Sequence, residues 1–160
     1  GALLLASEAI GFPGVTTVNR SFVLRLAGIY GPGRHVFLSR IRAGERNLPG
    51  DGEAWLNLIH RDDACSAIWA ALESPLEIVG RIFNVSDGQP VLRQELVNWL
   101  AGEMGVEPPS FSGVANPDRT TPGTRLPTRK IDNGRIREEL GWEPRYPSFR
   151  EGYQGLLTEK

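Results

Sequence analysis

Phe22-Val23-Leu24-Arg25-Leu26-Ala27-Gly28-Ile29-Tyr30-Gly31-Pro32-Gly33-Arg34 is the stretch whose reading decides the fold. It opens as a branched, apolar run of the length expected of a buried strand, Phe22–Leu26. It closes in a turn where Gly28, Gly31, Pro32 and Gly33 let the backbone fold tightly and leave it bare of side chains. Open α/β sheets bind ligands just beyond the carboxyl ends of such strands. The glycines come close to a dinucleotide fingerprint without making one. That fingerprint sets its second glycine two after the first, opens a helix on the third, and has an acidic residue about 20 positions later. Here the spacing is G-x-x-G-x-G, Pro32 interrupts it, and Asp51 falls within the turn Pro49-Gly50-Asp51-Gly52.

Upstream, residues 2–11 carry Leu3, Leu4, Ala6 and Ile10 against Ser7 and Glu8, a pattern that predicts a helix before Gly11, Pro13 and Gly14 break it. The chain opens on Gly1 in the middle of this element and its one methionine is Met104, so we expect a segment to precede it. Downstream, His35–Ile41 reads as a short helix and Trp55–His60 as a short strand, apolar on both faces. Asp62 is placed to cap a helix over Asp63–Glu73, whose Ala64, Ile68, Ala71 and Leu72 form an inward stripe. Arg81–Val85 is a further strand, closed by the turn Ser86-Asp87-Gly88. A helix over Arg93–Met104 stops at Gly105. Residues 106–128, rich in proline, form an irregular loop. Asp132 then caps a helix with Ile136 and Leu140 inward, and Gly141 and Pro144 end it. Trp142 is a core anchor, and a last helix from Ser148 places Phe149, Tyr153 and Leu156 on one face.

Composition narrows the function classes. With 160 residues, 40% of them apolar, the chain can bury a core as one segment, 1–160. A net charge of −1, with no basic block, gives no footprint for nucleic acid or an anionic membrane. The single cysteine, Cys65, rules out an internal disulfide and a cysteine metal cage, which points to the cytoplasm, and no apolar run reaches membrane-spanning length. His60 and the pair Asp62–Asp63 are the residues that invite a catalytic or metal reading. His60 has no partner nucleophile in the sequence and sits at a strand end, which favours a structural role. Adjacent carboxylates at a helix start diverge, which favours capping over metal binding.

RLAGIYGPGR, then LIHRDDACSAIWAAL, the strand Phe83-Asn84-Val85, and finally LGWEP before an Arg-Glu-Gly helix resemble, in order, segments of the extended and atypical short-chain dehydrogenase/reductases. This is the NAD(P)-dependent epimerase/dehydratase group, and the atypical members are most similar. The resemblance implies an α/β fold, the carboxyl-terminal portion of a Rossmann-type doubly wound parallel sheet plus a small mixed substrate lobe. It implies NAD or NADP as cofactor, held mainly by a preceding part. Leu26, Ala27 and Gly28 match positions whose backbone approaches the nicotinamide, while Tyr30, Arg34 and Arg119 would face the substrate; the residues themselves equally allow a structural turn with Tyr30 packed and Arg34 solvated. That substrate would be a small molecule, a sugar or sugar nucleotide in much of the group, and the full-length protein would be a homodimer. No catalytic residue is assigned: the family's Tyr-x-x-x-Lys pair is absent, since Tyr30 is the first tyrosine and Lys130 the first lysine. Leu56 stands where sugar-nucleotide epimerases carry an arginine against the substrate diphosphate, with Arg42, Arg46 or Arg119 as substitutes. Arg125 and Arg129 are further anion-binding candidates in or beside the loop. The resemblance also admits a second reading, a non-catalytic NAD(P)-sensing protein. Without its neighbours the Phe22–Leu26 strand would have unpaired edges.

Overall fold

The computed structural model describes residues 2–10, 18–75, 80–113 and 129–158, with 2–10 and 18–20 described by their backbone alone. Two apolar clusters organise them. The first lies under a sheet of three strands in the order β1 (Ala2–Ile10), β2 (Val18–Leu26) and β7 (Ile82–Val85). In β2, Phe22, Leu24 and Leu26 are buried while Ser21 and Arg25 are exposed, the period-two alternation of a strand covered on one face. They meet Ala64, Ala67 and Ala71 of α2 (Arg61–Glu73), Phe83 and Val85 of β7, and Ile136 of α4 (Gly134–Leu140). Small alanines on α2 let the helix sit close to the strands. Trp142 closes this core, and its indole Nε1 donates to Ser66 Oγ at 2.9 Å.

The second cluster is the smaller lobe. Short strand pairs scaffold it: β3 (Gly28–Tyr30) runs parallel to β6 (Leu58–His60), β4 (Asn47–Leu48) parallel to β9 (Ser110–Phe111), and β5 (Trp55–Leu56) antiparallel to β8 (Val91–Leu92). Helices α1 (Val36–Arg42), α3 (Arg93–Glu103) and α5 (Phe149–Thr158) enclose it through Leu38 and Ile41, Leu96 and Leu100, and Phe149, Tyr153 and Leu156. The predicted mixed lobe is therefore present, as is the face of the last helix.

Several expectations are corrected. Residues 2–10 form a strand, not a helix, pairing antiparallel with β2 from Ala2↔Leu26 to Ile10↔Val18. A leucine-rich run of this length fits either period, and a nine-pair ladder supplies non-local hydrogen bonds that local helical propensity cannot match. That pairing also overturns the expected bare edges of Phe22–Leu26, because β1 takes one side of β2 and β7 the other, in parallel. The strand expected over Trp55–His60 breaks at Asn57 into β5 and β6, which pair with different partners. Helix α2 is capped by His60, not Asp62: the imidazole Nδ1 accepts the Asp62 N–H at 3.3 Å. Helix α4 has Asn133 at its cap, without a side-chain cap bond, and the Asp132 carboxylate takes the Gly134 N–H at 2.9 Å instead. Gly141 stops α4 in the left-handed region, φ 61°, as its position implied. Of the loop 106–128, residues 114–128 lie outside the described residues, and Arg119 and Arg125 with them.

Candidate functional site

The site is built where β2 changes partners. Leu26 is in register with Val85 of β7, the Ala27 N–H donates to Val85 O at 2.9 Å, and the Gly28 N–H donates to Asn57 O at 2.8 Å. Gly28 is then in register with Leu58 of β6. One extended stretch thus hands its hydrogen bonds from the large sheet to the small lobe within three residues. Leu26 and Ala27 are buried, but Gly28 is exposed and carries no side chain. A Cβ at Gly28 would stand 3.1 Å from Asn57 O, so the bare backbone is what the crossing accommodates.

The turn beyond β3 is tied by two backbone bonds, Gly31 N–H to Arg34 O at 3.0 Å and Arg34 N–H to Gly31 O at 2.9 Å. Gly33 sits at φ 72°, where a side chain would be strained. Arg34 is exposed: its Nε donates to Ile29 O at 3.1 Å, and its terminal nitrogens bond to no described residue. Tyr30, expected to face the substrate, lies in the core of the small lobe at 3% exposure. Its ring stacks on Tyr153 at 4.7 Å and meets the His60 edge at 5.4 Å, and its hydroxyl donates to Ser148 O at 3.5 Å over Gly152. Burial, and then the nearby Asp87 carboxylate, push the phenol far above its ordinary range, so it holds its proton.

His60 is buried as well, and burial lowers its pKa below the usual imidazole value. Since Nδ1 accepts from the Asp62 N–H, the ring proton resides on Nε2. Its ring lies 4.0 Å from that of Tyr146. Asp63, also expected at the cap, is buried and does other work: its two oxygens accept the N–H groups of Arg145 at 2.8 Å and Tyr146 at 3.0 Å, pinning the approach to α5 onto α2. No group of three His, Cys, Asp or Glu side chains could hold a metal among the described residues.

Two features escaped the sequence reading. The first is Asp87, in the turn after β7. Its N–H donates to Leu58 O at 2.8 Å and its Oδ1 accepts from the Gln89 N–H at 2.9 Å, while Oδ2 is buried without a partner. Burial, with Asp63 and Glu151 nearby, raises its pKa to about 7. An acidic residue inside an Asp-Gly turn reads as an exposed turn former, which conceals this. The second is a trio of asparagines. Asn57 donates from Nδ2 to Arg129 O at 2.8 Å and accepts the Ile131 N–H at 2.7 Å; Asn84 donates to Asp132 O at 3.3 Å; Asn133 donates to Ser86 O at 2.7 Å. Together they fasten the segment 129–133 beside the Gly28 crossing. An asparagine interrupting an apolar strand pattern was the available signal.

Residues 16–86, which include β2, the glycine turn, α2 and β7, match the model of the NAD dependent epimerase/dehydratase family. The chain belongs to that family. Protein YeeZ of Escherichia coli K12 is 36% identical over 125 residues, covering 78% of this chain and 40% of YeeZ. A 3-diazoavenalumate denitrifying reductase from a Streptomyces species is 32% identical over 148 residues, covering 81% of this chain and 45% of the reductase. Among solved structures, the UDP-glucose 4-epimerase of Thermotoga maritima with UDP-glucose is 26% identical at a TM-score of 0.68, covering 85% of this chain and 44% of the epimerase. The fold is α/β of the Rossmann type, as in that epimerase. The chain spans less than half the length of these relatives. No helix among the described residues is long and apolar enough to cross a membrane.

Proposed function

We propose that these residues form the substrate-side, carboxyl-terminal part of an NAD(P)-dependent epimerase, dehydratase or reductase. The observation that carries this is the hand-over at Ala27–Gly28. It leaves an exposed, side-chain-free backbone at the carboxyl end of a parallel strand pair, where a flat nicotinamide ring fits. In this reading Leu26, Ala27 and Gly28 flank the nicotinamide of NAD or NADP, whose phosphates and adenosine are held by residues preceding this chain. A bound nicotinamide would supply hydride transfer. The chain's own contribution is positioning: the Val85 and Asn57 carbonyls fix the crossing, and the small lobe walls the cleft against water. Arg34, with terminal nitrogens bonded to no described residue, faces the substrate, while Arg119, the other arginine expected to bind substrate, lies outside the described residues; Tyr30 supports the wall from behind rather than touching substrate. The substrate is a small molecule, and the family likeness alone leaves room for sugar nucleotides and for other oxidised carbon compounds.

Fluorescence titration with NADH and NADPH tests the reading. The product of the complete reading frame should bind one of them at micromolar concentration, and the 160-residue chain alone should bind neither strongly. No binding to the complete product, or micromolar binding to the 160 residues alone, would overturn it.

A further inference from the structure

The clamp on segment 129–133 fixes more than a loop end. Asn57 bonds both peptide groups that flank Lys130, Arg129 O at 2.8 Å and the Ile131 N–H at 2.7 Å, much as a neighbouring strand would. The same Asn57 gives its backbone carbonyl to the Gly28 N–H, so Lys130 is anchored through a single residue to the crossing. The Lys130 side chain lies against β5, with Nζ 3.9 Å from the centroid of the Trp55 ring. The residue is exposed, and no described carboxylate forms an ion pair with its ammonium. Exposed lysines ordinarily lose much of their charge effect to side-chain freedom. Here the backbone is pinned on both sides and the ammonium is held over an indole face, which lowers the ordering cost of binding an anion.

We propose that Lys130, oriented by Asn57 and Trp55, is the anion-binding group of the substrate wall, and that the substrate carries a carboxylate or a phosphate. This rests on the reading of the Gly28 crossing as the mouth of the cofactor site. An ammonium is a compact point charge that does not require the planar fork of an arginine, and it accepts either anion. Asn57 is then a positioning residue, acting through Lys130 without touching substrate.

Inorganic phosphate and malonate serve as probes, titrated separately at low ionic strength into the ¹⁵N-labelled protein while the Trp55 indole and the 129–131 amides are followed by NMR. At least one probe should give saturable shifts at these signals. Lys130→Met should weaken that response at least tenfold and Lys130→Arg should retain it. Asn57→Ala should weaken it severalfold, with the Trp55 indole signal moving toward that of Lys130→Met. A response to phosphate alone assigns a phosphate-bearing substrate, and a response to malonate alone a carboxylate. Unsaturable shifts with both probes, or equal shifts in wild type and Lys130→Met, overturn the proposal. NADH titration of the complete gene product reads the cofactor site independently. Loss of NADH binding with an intact anion response refutes the cofactor reading, and the converse refutes the anion site.

Discussion

Replacing Asp87 by Asn should make the fold's stability less sensitive to pH on the alkaline side, and the size of the effect follows from where the carboxyl sits. Asp87 is 5% exposed, its Oδ2 has no partner, and Asp63 and Glu151 add negative charge around it. Its pKa rises from 3.8 to about 7, chiefly through burial. The folded protein therefore keeps a proton that the unfolded chain has released. A carboxyl shifted in this direction contributes most below the unfolded pKa of 3.8, and that contribution is lost as pH rises toward about 7. At about 1.4 kcal/mol per pKa unit, the full span is worth about 4 kcal/mol, of which about 2.5 kcal/mol falls between pH 5 and pH 8. Urea unfolding of wild type and Asp87→Asn at both pH values isolates this group, since His60 titrates identically in each. The wild type should lose about 2.5 kcal/mol relative to the variant on going from pH 5 to pH 8. Parallel stability profiles, or a wild type that gains on the variant with rising pH, would refute the argument.

Other substitutions probe the packing that holds the site. Gly152→Ala places a Cβ on the Tyr30 hydroxyl, so it should destabilise the small lobe by about 3 kcal/mol or more, read as a lowered urea midpoint. Asp63→Ala strands the N–H groups of Arg145 and Tyr146 and should cost about 2–4 kcal/mol by the same measurement, with α5 losing amide-exchange protection first. His60 should show the Nε2–H tautomer in long-range ¹⁵N spectra and remain neutral below the pH at which a free imidazole protonates. A ring that titrates at or above the ordinary imidazole value would contradict its capping role.

The sequence was most informative where local rules and burial agree. The Phe22–Leu26 strand and the Phe149–Tyr153–Leu156 face follow from an apolar period, and the glycine turn and the Gly141 stop from backbone conformations that glycine adopts most readily. It was least informative where a distant partner decides. Nothing within residues 2–10 announces a nine-pair ladder with β2, and the His60 cap depends on an imidazole turned back onto Asp62 rather than on a usual capping side chain. The candidate site divides the same way. That Gly28 presents bare backbone is a sequence property, whereas the glycine turn alone leaves Tyr30 open between cleft and core, and its place in the core depends on Tyr153 and Gly152 far along the chain. Asp87 and Asn57 draw their roles from burial and from reach across the fold, neither of which a turn or strand pattern records.

The most direct measurement is the NAD(P)H affinity of the complete gene product carrying Gly28→Val. Because a Cβ at Gly28 stands 3.1 Å from Asn57 O, the variant should lower the thermal midpoint, and in protein still folded at the assay temperature the added methyl groups should weaken nicotinamide binding at least tenfold. Unchanged affinity in a folded Gly28→Val protein would mean that the cofactor does not approach this backbone, and the assignment of the site would fall.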